Sequence, residues 1–130
     1  MERKAIRRLP DSELEVMQAL WECEIPAGRN EIAEKMMRTS KRKDPPAQTT
    51  LLTLLTRLEQ KGFVAIEKQG RGSVYTPLVS QEEYRTVRSR SFVDQLFGGS
   101  MKAFANALAY GALTEEELSE LRALLEEHKE

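Results

Sequence analysis

The stretch Pro46-Ala47-Gln48-Thr49-Thr50-Leu51-Leu52-Thr53-Leu54-Leu55-Thr56-Arg57-Leu58-Glu59-Gln60-Lys61-Gly62 sets the fold class of this 130-residue chain. Leu51, Leu54, Leu55 and Leu58 recur at the spacing of one apolar stripe on an α-helix. Thr50, Thr53 and Arg57 fall at i, i+3 and i+7 on a different face, with Thr49 beside them. Threonine is a mediocre helix former, so its concentration here is not a matter of helix propensity. Asp44-Pro45 reads as a start signal, because proline suits a first turn. Gly62 after Lys61 reads as the C-terminal glycine. The pattern predicts a helix from Pro46 to Lys61 with a leucine face buried and a threonine-arginine face outside.

Downstream, Phe63-Val64-Ala65-Ile66 and Ser73-Val74-Tyr75-Thr76 are strand-like runs on either side of the turn signal Gly70-Arg71-Gly72, and Pro77 ends the second. They predict a β-hairpin with Glu67, Lys68, Gln69 and Arg71 near its tip. Upstream, a helix opens at Pro10 or Asp11, with Asp11 a candidate cap, and buries Leu14, Met17, Leu20 and Trp21 as far as Cys23. Ile25-Pro26-Ala27-Gly28 breaks it. A second helix runs from Arg29 to Arg38 with Ile32, Ala33 and Met36 inward, and a polar basic loop, Thr39 to Asp44, follows. Residues 1–9 read as a flexible basic arm or as the lead-in to a helix. Helix, helix, helix, hairpin is the order of a helix-turn-helix module with a wing.

After Pro77 the chain is helical again. Ser80 with Glu83 and Thr114 with Glu117 fit capping boxes, and Ser100 opens a helix after the Gly98-Gly99 break. Apolar faces carry Tyr84, Val87, Phe92, Val93, Leu96 and Phe97, then Met101, Phe104, Ala105 and Leu108, then Leu118, Leu121, Leu124 and Leu125. Such short helices cannot bury this many large side chains among themselves. Either they enlarge the first core, or they mate with a second copy of the chain. The glycine break leaves an elongated arm and favours the second copy. The expected architecture is mainly α with a small β-hairpin. A winged helix-turn-helix domain (1–77) is followed by a helical dimerisation domain (78–130).

Charge follows the same division. The net charge is -1, yet residues 1–77 hold 14 Lys/Arg against 11 Asp/Glu, and residues 78–130 hold 6 against 10. Arg38 to Arg71 carries 8 basic and 3 acidic residues. A basic region beside an acidic tail suggests one part facing a polyanion and one facing elsewhere.

Several functions have no support in the sequence. A single cysteine, Cys23, and a single histidine, His128, leave no cysteine or histidine set for a metal, so no cofactor is expected. Gly70-Arg71-Gly72 leads into a strand, whereas a phosphate loop leads into a helix. No nucleophile–base constellation supports an enzyme. No run is apolar enough to span a membrane, and no secretory leader is visible, so a cytoplasmic protein is expected.

In a helix-turn-helix module the third helix enters the major groove. That places Gln48, Thr49, Thr50, Thr53 and Arg57 toward base edges. Lys41, Arg42 and Lys43 before the helix suit phosphates, and Lys68 and Arg71 on the hairpin suit backbone or minor groove. The competing expectation is a winged-helix protein–protein adaptor that does not bind DNA.

The chain also resembles the penicillinase-repressor family, which includes methicillin-resistance and copper-responsive repressors. The resemblance lies in Leu9-Pro10-Asp11-Ser12-Glu13-Leu14-Glu15-Val16-Met17 with Leu20-Trp21, in Glu31-Ile32-Ala33, in Thr50 to Gly62, in Gly70 to Pro77 and in Ser91-Phe92. It implies a cytoplasmic homodimer that binds a palindromic operator and blocks transcription, with Thr49, Thr50, Thr53 and Arg57 on the recognition helix and Arg71 and Tyr75 in the wing. In β-lactam-responsive members it implies a signal from a membrane sensor metalloprotease that ends in cleavage of the C-terminal domain. Their scissile Asn-Phe pair aligns with Ala107-Leu108, the candidate cleavage position, and this departure weighs against the same cleavage. Copper-responsive members end in closely spaced cysteines, which this chain lacks.

Overall fold

The computed structural model describes residues 5–129. Residues 1–4 of the basic arm, and residue 130, lie outside the described residues. The element order is α1 (Asp11–Trp21), β1 (Ala27–Gly28), α2 (Arg29–Thr39), α3 (Gln48–Gln60), β2 (Val64–Gln69), β3 (Gly72–Pro77), α4 (Gln81–Phe97), α5 (Met101–Ala107) and α6 (Glu115–Glu127). The chain divides into one unit ending at Val87 and a second beginning at Arg88.

In the first unit three helices pack beside a three-stranded antiparallel sheet of order β1-β3-β2. The leucine stripe of α3 is buried as its spacing predicts: Leu51, Leu54, Leu55 and Leu58 join Val16, Met17, Leu20, Ile32, Met36 and Phe63 in one core. Burying a side chain of this size contributes on the order of 1.5–3 kcal/mol each, which is why this stripe fixes the orientation of α3.

The end of α3 is set by Gly62, whose φ of 83° lies in the left-handed region. Gly62 N–H donates to the Glu59 carbonyl at 3.0 Å, and Phe63 N–H donates to the Leu58 carbonyl at 2.9 Å. This paired closure satisfies the last carbonyls and turns Phe63 into the core.

Four details differ from the sequence expectation. Helix α3 begins at Gln48, not Pro46, with Ala47 as its N-cap. Ala47 is extended, with φ -60° and ψ 142°, so the helical conformation begins only after it. Helix α1 has Pro10 rather than Asp11 as N-cap, so Asp11 is the first helical residue and does not cap. The segment before α1 is anchored rather than free at its end. Leu9 is buried, its N–H donates to the Tyr84 hydroxyl at 2.9 Å, and Ile6 packs on the core. Finally, β1 was not foreseen. It is two residues long, pairs Ala27 with Tyr75 and Gly28 with Val74, and is too short to show any period.

The first unit also runs past Pro77. Val79 and Tyr84 are core residues, so Tyr84 does not belong to the arm's apolar face as its spacing suggests: its ring and hydroxyl are taken up by the first core. The Tyr84 ring lies 5.7 Å from that of Phe63 and 6.0 Å from that of Trp21, and Trp21 Nε1–H donates to the Val79 carbonyl at 2.9 Å.

The three caps announced by the sequence after Pro77 are present, the first at the start of α4 in the first unit and the other two in the second unit. Ser80 and Glu83 exchange hydrogen bonds at 3.0 and 2.9 Å, the Ser100 hydroxyl accepts from Ala103 N–H, and Thr114 and Glu117 close a capping box. The Phe92, Phe97 and Phe104 rings meet at centroid distances of 5.4 to 6.3 Å. A π-type turn, Leu108–Ala112, follows α5 and ends through Gly111 at a φ of 136°.

Candidate nucleic-acid interface

The buried leucines of α3 point its opposite side outward. Thr49, Thr53, Thr56 and Gln60 lie on that outer side, with Arg57 and Thr50 on one flank and Leu52 on the other. Gln48, Thr49, Thr50, Thr53 and Arg57 are all exposed. Four of these five helix positions singled out from the sequence, Thr49, Thr50, Thr53 and Arg57, share the outward side, while Gln48 opens the helix on the side opposite Arg57. Leu52, Thr53, Thr56, Arg57 and Gln60 line a shallow groove of about 370 Å³ along it. Two hydroxyls on this surface are occupied. Thr53 Oγ1–H donates to the Thr49 carbonyl and Thr56 Oγ1–H to the Leu52 carbonyl, each at 2.9 Å.

The loop between α2 and α3 is held by Arg42. Its guanidinium donates to both Glu15 carboxylate oxygens, at 3.1 and 2.9 Å, and its Nε–H donates to the Asp44 carbonyl at 3.1 Å. Arg42 is thereby committed to α1 and not offered to a phosphate as its place in the sequence suggests, while Lys41 and Lys43 on either side of it are exposed. Lys41 has a φ of 51°, a left-handed position that turns the chain there.

On the wing, Lys68 and Arg71 are exposed at the hairpin end, where Gln69 pairs with Gly72. Tyr75 is placed otherwise. It is 3% exposed and sits on the central strand between Ala27 and Ile66. Burial pushes its phenol above the usual range, with Arg29 opposing and Glu59 reinforcing the shift.

Sequence reasoning missed the first turn of α2. Arg29 and Asn30 join Leu52, Arg71, Ser73 and Tyr75 around a cleft of about 400 Å³, and the buried Arg29 Nε has no hydrogen-bond partner. The signal was present: a basic residue opening a helix runs against the macrodipole, which favours acidic residues there. Thr56 and Gln60 were also missed, although they continue the three- and four-residue spacing from Thr49 and Thr53.

In the second unit, Phe92, Leu96, Met101, Leu124 and Leu125 are exposed, and Phe97, Phe104, Leu108, Leu118 and Leu121 are half-buried. Leu96 is 63% and Leu125 64% exposed, so these faces are not consumed inside the unit. Ala107 and Leu108 fall at the junction of α5 and the π-type turn, both half-buried. Among the described residues, no three His, Cys, Asp or Glu side chains gather as a metal site, and no helix is long and apolar enough to cross a membrane.

Comparison with known proteins places this arrangement. The family model described as penicillinase repressor matches residues 9–127. The penicillinase repressor of Bacillus licheniformis is 35% identical over 127 residues, covering 97% of this chain and 95% of the relative. The methicillin resistance regulatory protein MecI of Staphylococcus aureus (strain N315) is 29% identical over 118 residues, covering 90% and 92%. A solution structure of the monomeric form of Bacillus licheniformis BlaI with the blaP half-operator aligns at a TM-score of 0.46 and 34% identity, over 62% of this chain and 93% of that one. With the family model spanning nearly its whole length, the chain belongs to the penicillinase repressor family.

Proposed function

We propose that this protein is a homodimeric, sequence-specific DNA-binding transcriptional repressor that acts in the cytoplasm on a palindromic operator. The family is one of repressors rather than enzymes. The observation that carries the reading is the outer surface of α3, where polar side chains that suit base edges share a face on a rigidly seated helix. Arg57 is assigned a guanine or a phosphate, and Gln48 an adenine edge. Thr49, Thr50 and Thr53 lie against the groove floor. Lys41, Lys43, Lys68 and Arg71 contact phosphates, joined by Arg29 and Asn30 across the cleft. Tyr75 supports the wing from inside instead of touching DNA.

Dimerisation is assigned to the second unit, residues 88–130 of the proposed 78–130 domain, through the exposed faces around Phe92, Leu96, Met101, Leu124 and Leu125. Two linked half-site contacts multiply affinity, so weakening that interface releases the operator. A sensor protease acting near Ala107-Leu108 is one means of weakening it.

The test is retardation of genomic DNA fragments by the wild-type chain and by the Thr53→Ala/Arg57→Ala variant. Loss of retention in the variant supports the assignment. Unchanged retention places the reading surface elsewhere, and absence of any retained fragment at low salt makes the protein an adaptor instead.

A further inference from the structure

We propose that the recognition helix reads the 5-methyl groups of thymines, through the side-chain methyls of Thr53 and Thr56 beside Leu52. This rests on the DNA-binding reading above. A threonine hydroxyl carries one proton. In Thr53 and Thr56 that proton is spent on the carbonyl one turn back, each at 2.9 Å. Neither hydroxyl then has a proton to donate to guanine N7 or O6, adenine N7 or thymine O4, the acceptors that line the major groove. The same rotation that turns Oγ1 back onto the helix sets Cγ2 in a different staggered position, away from that carbonyl. Both residues are exposed, and Leu52, 38% exposed, lines the same groove. The two oxygens keep lone pairs that can accept from adenine or cytosine amino groups, but the two methyls with Leu52 give the groove an aliphatic patch, and its hydrogen-bonding side chains, Arg57 and Gln60, stand beside it. The major-groove feature matched by an aliphatic group is the thymine methyl.

The experiment selects a high-affinity duplex from a random pool with the full-length protein, then rebuilds it with deoxyuridine at each thymine in turn. Uracil differs from thymine only in lacking the methyl. Burial of one methyl predicts a threefold to fivefold loss of affinity at one or two positions per half-site. Thr53→Ser and Thr56→Ser keep the hydroxyl and remove the methyl, so each abolishes the thymine–uracil difference at its own position. Thr53→Val and Thr56→Val keep the methyl and preserve the difference. Equal affinity of every uracil duplex overturns the proposal while leaving DNA binding intact, and so does loss of the difference in the valine variants. Failure to select any duplex at low salt overturns both this proposal and the reading beneath it. Matched melting curves for the four variants establish that each is folded.

Discussion

Lys61 Nζ at the C-terminal end of α3 lies 2.5 Å from Glu13 Oε1 in the first turn of α1. Glu13 is the one charged residue among the buried polar groups described. Removing one partner of such a pair leaves a charge without compensation, whereas replacing both with apolar groups is often neutral. Lys61→Met is expected to cost about 3 kcal/mol. Adding Glu13→Leu is expected to recover most of that loss. Urea unfolding of the two single variants and the double variant checks this, and additive losses would refute the coupling.

Tyr84 joins the start of the first unit to its end, through Leu9 N–H and the rings of Trp21 and Phe63. A chain ending at Val87 is expected to fold. A chain ending at Pro77, which lacks both Val79 and Tyr84, is expected to be unfolded or close to it. Tyr84→Phe leaves the buried Leu9 N–H without its acceptor and should cost about 1–3 kcal/mol. Thermal melts of the two truncations and the variant decide it, and equal stability of the truncations would sink the assignment.

Alkaline pH should weaken the first unit. Burial holds the Cys23 thiol above its usual value, assisted by Glu31 and opposed by Lys35, and burial likewise raises Tyr75. For both groups the fold favours the neutral form, so the unfolded chain loses these protons at lower pH. Their contribution is complete below the unfolded pKa and is lost as pH rises through the folded one, from roughly pH 8.5 for the thiol and 10 for the phenol. Urea midpoints measured from pH 7.5 to 11 should fall, and less steeply in Cys23→Ala and Tyr75→Phe. An unaltered slope in both variants would contradict this.

Salt dependence separates phosphate contacts from base contacts. Lys68→Gln or Arg71→Gln should each lower the slope of log K against log salt by roughly 0.9. Both should weaken operator and unrelated DNA alike. Thr53→Ala should leave the slope unchanged and narrow only the preference for the operator. A slope unaltered by either wing variant would remove the wing from the interface.

The exposed face of the second unit has a direct test. Leu96→Glu and Leu125→Glu place charges on positions open in the single chain. Each is expected to give a folded monomer with circular dichroism like the wild type. Sedimentation showing dimers in both variants would move the interface elsewhere.

Much of this was legible because α3 obeys a strict period. Leu51, Leu54, Leu55 and Leu58 announce which side is inward, and the exposed side follows by geometry. The caps at Ser80, Ser100 and Thr114 were legible because a capping box is local. The pairing of β1 was not, because Ala27-Gly28 gains its strand character from Tyr75 and Val74, far along the chain. The burial of Tyr75 was hidden for the same reason: its strand is the central one, and only the sheet order decides which of its residues face the core. Arg29 escaped notice because its cleft is closed by Arg71 and Ser73 from the wing. The donors of Thr53 and Thr56 depend on a rotamer, which no sequence pattern encodes.

Thr53 and Thr56 are bonded back to the helix that carries them. Their rotors are thus stopped before any partner arrives. Immobilising a rotamer-rich side chain at an interface costs roughly 0.5–1.5 kcal/mol, and a small β-branched one costs less. Here that entropy is surrendered when the protein folds. The reading surface is therefore preorganised, and its discrimination between duplexes should appear mainly as differences in residence time rather than in the rate of encounter.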